Sequence, residues 1–405
     1  MNLEFVKGKP YFTKINSIEK QYNYLTEDIE TDVIIVGGGV TGSILGYYFS
    51  KNNINSVILE KNIIGHESTS ITTALLQYEL DSTANVLKEY TTCRNIIKSY
   101  KLGLKALNEI KEFANEYGNN FHYKVRDALL YSDKILDIEE IKAEYLIRKE
   151  NGFPVEYITE ENNPFRFSLK AGVLSKSGGA EIDPYKFANE LLNVSIKKGL
   201  KVYENTEVVD VKYNKEGVDV LTRYDHKVKG KIVIVATGYN TNLFTDRKFG
   251  TTTEAFNIVT KPIDNLEKIY NGTLIRDNNV PYNYIRKTMD NRLIIGGEDV
   301  DFLKNINSEK VAREKYNILE QRLKSIFTDI KDIEFAYKYC GAFTSTQDNL
   351  GFIGKDPKNE KLWFNLGYGA NGILFAILGG IFLSKMYLGE VDEDIKLFNV
   401  GRYDY

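Results

Sequence analysis

The sequence predicts an α/β protein in which a parallel-sheet unit carries an inserted antiparallel-sheet unit, and three observations predict it. Four short runs are almost continuously apolar, as parallel strands covered on both faces must be. Amphipathic helical patterns surround them, and the middle of the chain changes to turn-bounded, strand-like segments. The apolar runs are residues 33–36, 57–59, 232–236 and 362–366. Ile97, Tyr100, Leu104, Leu107 and Ala114 recur at helical spacing, as do Ala312, Tyr316, Leu319, Leu323 and Ile326 after the cap residue Ser308. A third helix is expected over 185–198, entered through Asp183-Pro184 and closed by Gly199. Antiparallel strands are expected at 121–131, 172–174, 283–287 and 292–296, with turns at Asp290-Asn291 and Asn271-Gly272.

Composition narrows the function classes. Hydrophobic residues make up 42% and charged residues 27% of the 405, ordinary globular values that exclude a disordered or collagen-like chain. Lys and Arg number 53 against 56 Asp and Glu, so the basic excess that nucleic acid requires is missing. Two cysteines, Cys93 and Cys340, and three histidines predict no metal site, no iron–sulfur cluster and no disulfide framework. A cytoplasmic protein is the expectation. The longest apolar stretch, 372–383, is interrupted by Gly379-Gly380 and is shorter than the roughly 20 residues that span a bilayer. It reads as a buried helix, and the first thirty residues lack the apolar core of a signal peptide. Aromatic residues reach 12%, with 28 Tyr and 21 Phe against one Trp. That surplus makes an aromatic cage available to a ligand.

The run Asp32-Val-Ile-Ile-Val-Gly37-Gly38-Gly39-Val40-Thr41-Gly42 joins a buried strand to a helix. Gly37 permits the tight turn, Gly39 lets backbone approach a pyrophosphate, and Gly42 lets helix pack on sheet. The helix N-terminus then offers free N–H groups and a positive dipole end to phosphate. Glu60, followed by Lys61, ends the second strand 18 residues after Gly42, where a carboxylate can accept both ribose hydroxyls. A second small-residue turn, Ala236-Thr237-Gly238, follows the strand at 232.

These two motifs together resemble the FAD-dependent oxidoreductases of the glutathione-reductase superfamily. Two further segments are similar to the D-amino-acid oxidase-like (DAO) family, which includes glycine oxidase and sarcosine oxidase. One is Gly65-His-Glu-Ser68-Thr69-Ser70-Ile-Thr72-Thr73-Ala74-Leu-Leu-Gln77. The other is Asp348-Asn-Leu-Gly351-Phe-Ile-Gly354, followed by Trp363-Phe-Asn-Leu-Gly367-Tyr368-Gly369-Ala-Asn371-Gly372-Ile373. The run Asn283-Tyr-Ile-Arg-Lys with Arg292-Leu-Ile-Ile-Gly-Gly-Glu298-Asp is similar to a bacterial subgroup, some of whose members append a Rieske domain. The cysteine count predicts none here.

The resemblance implies a glutathione-reductase-type Rossmann FAD-binding domain with an antiparallel-sheet substrate domain inserted. Residues 1–115, 175–245 and 335–405 would form the first, and 116–174 with 246–334 the second. It implies non-covalent FAD, held by the residues named above and by the main chain of Val208. It also implies oxidation of the C–N bond of a small-molecule amino acid or secondary amine, with hydride passing to flavin N5 and water hydrolysing the imine. Arg286 is the expected carboxylate anchor, with Tyr284 and Tyr282, because Tyr284 and Arg286 alternate onto one face of a strand. Arg292 and Arg276 are alternatives, and Lys287 should face away. The family's oxygen-activating lysine is replaced by Ile294 and a common Trp by Tyr339. Cys340 lies eight residues before Asp348, near the family's site of covalent flavin attachment; a buried structural cysteine is the other reading of it. Two rival functions are a flavoprotein whose FAD is structural or carries electrons within a complex, and an NAD(P)-dependent dehydrogenase. The Ala-Thr-Gly turn and the C-terminal glycines argue against the second.

Overall fold

The four apolar runs form the centre of a six-stranded sheet in the order Phe352–Asp356, Asn359–Leu366, Ile232–Val235, Val33–Val36, Ser56–Leu59, Lys201–Tyr203. The protein is described by a computed structural model over residues 6–17, 20–302, 304 and 308–404. Every pairing in this sheet is parallel except the hairpin of the first two strands. Val33–Val36, Ser56–Leu59 and Ile232–Val235 are buried at every residue because both faces are covered. Helices Val40–Lys51, Cys93–Tyr117, Pro184–Ile196 and Gly372–Tyr387 pack on one face. A four-stranded sheet covers the other, with Val218, Val220 and Val228 against Ile34, Val57 and Val233. The helix ends follow the local rules. Ser308 Oγ accepts from Val311 N at 3.3 Å, Asp183 Oδ1 accepts from Lys186 N at 3.0 Å, and Gly199 adopts φ +97°.

The second sheet holds ten strands. Its order is Val6–Gly8, Phe335–Ser345, Thr251–Thr260, Leu293–Asp301, Asn283–Lys287, Leu274–Asp277, Lys124–Ser132, Ala171–Glu181, Leu75–Gln77, with Val155–Thr159 also on Ala171–Glu181. It therefore draws strands from 1–115 and 335–405 as well as from the middle of the chain. Two details differ from the local patterns. Leu274–Asp277 pairs in parallel with Lys124–Ser132, so the sheet is mixed. Asn271-Gly272 joins helix Leu266–Ile269 to a strand instead of closing a hairpin, and Asn271 Oδ1 accepts from Thr273 N at 3.0 Å. Both depend on which distant segment becomes the neighbour, which no local pattern encodes.

One face of this sheet buries Phe256, Ile258, Ile285 and Ile295 against Leu319 and Leu323 of helix Glu309–Ile326. The opposite face carries a continuous row across five strands. Tyr339 pairs with Asn257, Asn257 with Gly296, Gly296 with Tyr284, and Tyr284 with Arg276. Residues in register on adjacent strands point the same way, so this row presents its side chains together.

A buried ion network follows Leu75–Gln77, the edge strand of the large sheet. Arg148 is fully buried; its Nε donates to Glu144 at 2.7 Å, and it lies 3.5 Å from Glu79 and over the rings of Tyr78 and Tyr100. Removing the cation leaves two carboxylates buried without a counter-charge. Arg148→Met should lower the unfolding free energy by about 3–5 kcal/mol, read by urea denaturation.

Candidate functional site

A cavity of about 700 Å³ opens where the C-terminal ends of the parallel strands meet the row on the large sheet. This is where ligands sit in open α/β sheets, because the strand ends diverge there and helix N-termini face inward. One end is lined by Glu60, Lys61 and Val208, the middle by the glycine-rich turns, and the far end by Arg276, Tyr282 and Tyr284.

The first end is built by close backbone approach. Gly37 has φ +109°, and a Cβ there would stand 2.5 Å from Ala236 O. Gly39, Val40 and Thr41 line the cavity at the helix start, while Gly42 lies beneath, facing the carbonyl of Gly37. Thr69 Oγ1 accepts from Val40 N at 2.9 Å and so caps that helix. Glu60 is buried and binds the same turn, its Oε2 accepting from Gly38 N at 2.7 Å and its Oε1 from Asn62 N at 2.8 Å. Burial raises its pKa, and those two backbone N–H groups oppose the shift.

Ser68, Thr72, Thr73, Ala236, Thr237 and Gly238 also line the cavity. So do Gly367, Gly369, Gly372 and Ile373, and the first and third of these approach so closely that a Cβ on Gly367 would meet Gly372 O at 2.2 Å. The remaining expected residues lie outside the lining. Ser70 Oγ donates to Glu67 O at 2.8 Å and closes its own turn. Ala74 is buried at φ +50° after Thr72, whose Oγ1 accepts the Ala74 N–H. Tyr368 donates to Gly238 O at 3.0 Å, joining the two glycine turns, and Asn371 Nδ2 donates to Glu79 O at 2.9 Å. Gly354 stands on Phe352–Asp356 near Val400, away from the lining. Asp348 is held by Arg402 through Nε at 2.8 Å and Nη2 at 3.0 Å, which gives it a structural partner.

At the far end the placements change. Arg286 shares the row face but stands one step along its strand, beside Ile294, outside the cavity lining. Its Nη2 donates to Ile182 O at 2.9 Å, its guanidinium lies 5.5 Å from the Phe12 ring, and Glu181 and Asp183 are close enough to feel its charge. Arg292 donates to Asp290 and to Thr260 O, and it too lies outside the lining. Arg276 is the arginine in the lining. It is 4% exposed; Nη1 donates to Asp81 O, and Nε and Nη2 have no partner. Its guanidinium lies 5.8 Å from the Tyr282 ring, and the Tyr282 and Tyr284 rings are 5.8 Å apart. Burial lifts both phenols well above their ordinary range, so they stay neutral. Ile294 is fully buried. Cys340 faces the opposite side of the sheet, with its thiol on Glu254 at 3.4 Å and its pKa pushed up to about 12 by burial and that carboxylate. It is a buried structural cysteine, and the reading of covalent attachment through it finds no support in its position.

The unfilled bonding capacity of the lining fits a dinucleotide with a ring to orient. Asn257 Oδ1, Asn365 Oδ1 and the two Arg276 nitrogens are buried without partners in the lining. Such groups cost roughly 1–3 kcal/mol each unless a ligand satisfies them. Asn365 was within reach of sequence reading, inside the Trp363-Phe-Asn run. Asn257 and Asp81 carry no local signal, because register and chain crossing alone bring them here.

The family model for DAO, FAD dependent oxidoreductase, matches residues 32–386. A Bacillus subtilis protein named for a Rieske 2Fe-2S iron–sulfur centre is 25% identical over 59% of this chain, and the match spans 46% of that relative's length, about half. Glycine oxidase of Geobacillus kaustophilus is 23% identical over 92% of this chain and 97% of its own. The crystal structure of glycine oxidase from that organism superposes with a TM-score of 0.78 at 21% identity, covering 92% of this chain and 99% of the other. L-proline dehydrogenase from P. horikoshii superposes at 0.75 with 18% identity, covering 94% and 99%. Both structures share the Rossmann-type fold described above.

Two outcomes are expected. Gly37→Ala forces a Cβ against Ala236 O and should weaken FAD retention by about tenfold or more, read from the ratio of flavin to protein absorbance. Asp299, behind the tyrosines, is raised to about 6 by burial and then by the charges of Asp81 and Glu298. Its folded pKa exceeds its unfolded one, so its contribution to stability is complete at low pH and is lost as pH rises through about 6. Thermal midpoints at pH 5 and 7.5 should show a smaller difference in Asp299→Asn than in the parent.

Proposed function

The chain belongs to the DAO family of FAD-dependent oxidoreductases, and from that premise we propose that it oxidises the C–N bond of an amino acid or amine whose carboxylate is held by Arg276. The observation that carries the reading is that guanidinium, 4% exposed in the cavity wall with Nε and Nη2 unpartnered. A buried arginine with free donors is costly, and a planar carboxylate matches its fork in charge and geometry.

FAD, when bound, supplies the redox chemistry by accepting the two electrons and the hydrogen removed from the carbon beside nitrogen. Residues of this chain would hold it along the cavity: the turn 37–41 and Thr69 at the pyrophosphate, Glu60 and the Val208 main chain at the adenosine, and the 367–373 segment at the ring. Glu60 would use the lone pairs that its two backbone partners leave. Helix Gly372–Tyr387 starts at that segment, and its positive end favours negative charge there. Cys340 takes no part in this reading, and attachment is non-covalent.

Arg276 would fix the carboxylate, and Tyr282 and Tyr284 would wall the reacting carbon away from water. Their phenols stay protonated at neutral pH, so they orient the ligand and do not take its proton. In this reading 1–115, 175–245 and 335–405 would chiefly hold FAD, and 116–174 with 246–334 would shape the substrate end together with the strands Val6–Gly8, Leu75–Gln77 and Phe335–Ser345 that the large sheet takes from the first set.

An anaerobic screen of amines, amino acids and N-methyl amino acids tests the reading through bleaching of the flavin. At least one carboxylate-bearing amine should bleach it, and Arg276→Met should raise KM for that compound by about 100-fold with FAD retained. No bleaching by any compound, or an unchanged KM, would overturn it.

A further inference from the structure

Four residues that no motif marks, Glu79 to Ser82, tie the glycine turn at 367–372 to the arginine. Asn371 Nδ2 donates to Glu79 O at 2.9 Å and Ala370 N to Asp81 Oδ2 at 3.0 Å. Ser82 N donates to Asn349 Oδ1 at 2.9 Å, and Arg276 Nη1 donates to Asp81 O. Asp81 therefore stands between the turn and Arg276; burial raises its pKa, and the Ala370 N–H and then the Arg276 charge oppose that shift. The Tyr282 phenol lies close enough to interact with its carboxylate, and Oδ1 is buried with no hydrogen-bond partner. Asp299 adds a second negative charge on the same side, felt by Asp81, Tyr282 and Tyr284.

An arginine with no counter-charge attracts any anion. With Asp81 and Asp299 beside it, a simple anion gains less by entering than it would at an unaccompanied arginine. A ligand that carries an ammonium beside its carboxylate meets both charges and is favoured over one that carries the carboxylate alone. We propose that Asp81 is a positioning and specificity residue, the counter-charge that makes Arg276 select zwitterionic amino acids over simple carboxylates. The proposal rests on Arg276 being the carboxylate anchor.

Two ligands of nearly equal shape separate the effects. In 2-aminoisobutyrate an ammonium stands where pivalate has a methyl group, and neither has an α-hydrogen to lose. Binding to the FAD-loaded enzyme is read from perturbation of the flavin visible spectrum. The parent should bind 2-aminoisobutyrate more tightly. In Asp81→Asn, whose amide oxygen can still accept from Ala370, pivalate should bind about tenfold tighter and 2-aminoisobutyrate about tenfold weaker, and Asp81→Glu should restore the parent order. A merely structural role would weaken both ligands together.

Changes in the same direction, or none, would overturn the proposal. So would a parent enzyme that binds pivalate as tightly as 2-aminoisobutyrate, a result that needs no variant. Arg276→Met separates the two failures. If it binds both ligands as the parent does, the anchor reading fails; if it loses both while Asp81→Asn shifts them alike, only the counter-charge proposal fails.

Discussion

The approach of helix Val40–Lys51 to the strand before it governs the rest of the molecule. A Cβ on Gly42 would stand 1.9 Å from Gly37 O, so helix and strand meet at a distance only glycine allows. That contact points the helix N-terminus into the cavity. Thr69 and Glu60 then bind the N–H groups of Val40 and Gly38, which makes the turn rigid before any ligand arrives. The shape of the turn follows from backbone geometry, and its Gly38 and Val40 N–H groups are already bonded within the chain.

The far end of the cavity is built on the opposite principle. No glycine-rich turn forms it; one row of register partners across five strands does, and its face is set by which residues of distant segments fall opposite one another. Glycine still matters at one point of that row, Gly296, where a Cβ would lie 2.4 Å from the Tyr284 ring. The ring lies down on the sheet because the space beneath it is empty of side chain. Two sheets made by different means thus face each other, and the 79–82 segment bonds to both sides of the gap.

Buried charge is managed in two ways. Arg148 is surrounded by Glu144, Glu79 and two tyrosine rings and is satisfied except at one nitrogen. Arg276 keeps two free nitrogens in a cavity wall. The aromatic surplus divides in the same manner: Tyr100 anchors to Glu144 in the core, while Tyr239, Tyr282 and Tyr284 line the cavity.

The sequence by itself determined the parallel sheet, its helices and the glycine turns, because each is encoded within ten or so consecutive residues by apolar runs, caps and small residues at fixed spacing. Gly37, Gly39, Glu60, Thr237 and Gly367 line the cavity for that reason, whereas Ser70 and Asn371 turn their side chains to Glu67 O and Glu79 O. Arg286 and Arg276 take their places for a different reason. Strand alternation puts Tyr284 and Arg286 on one face, but alternation says nothing of how far along the strand the cavity reaches. Only the pairing of 274–277 with 283–287 places Arg276 beside Tyr284, and only the chain crossing at 79–82 sets Asp81 next to it. The first contact joins neighbouring strands, but the second joins residues 195 positions apart, and where the assembled sheet sets the two against the cavity is a property that no local stretch of the chain contains.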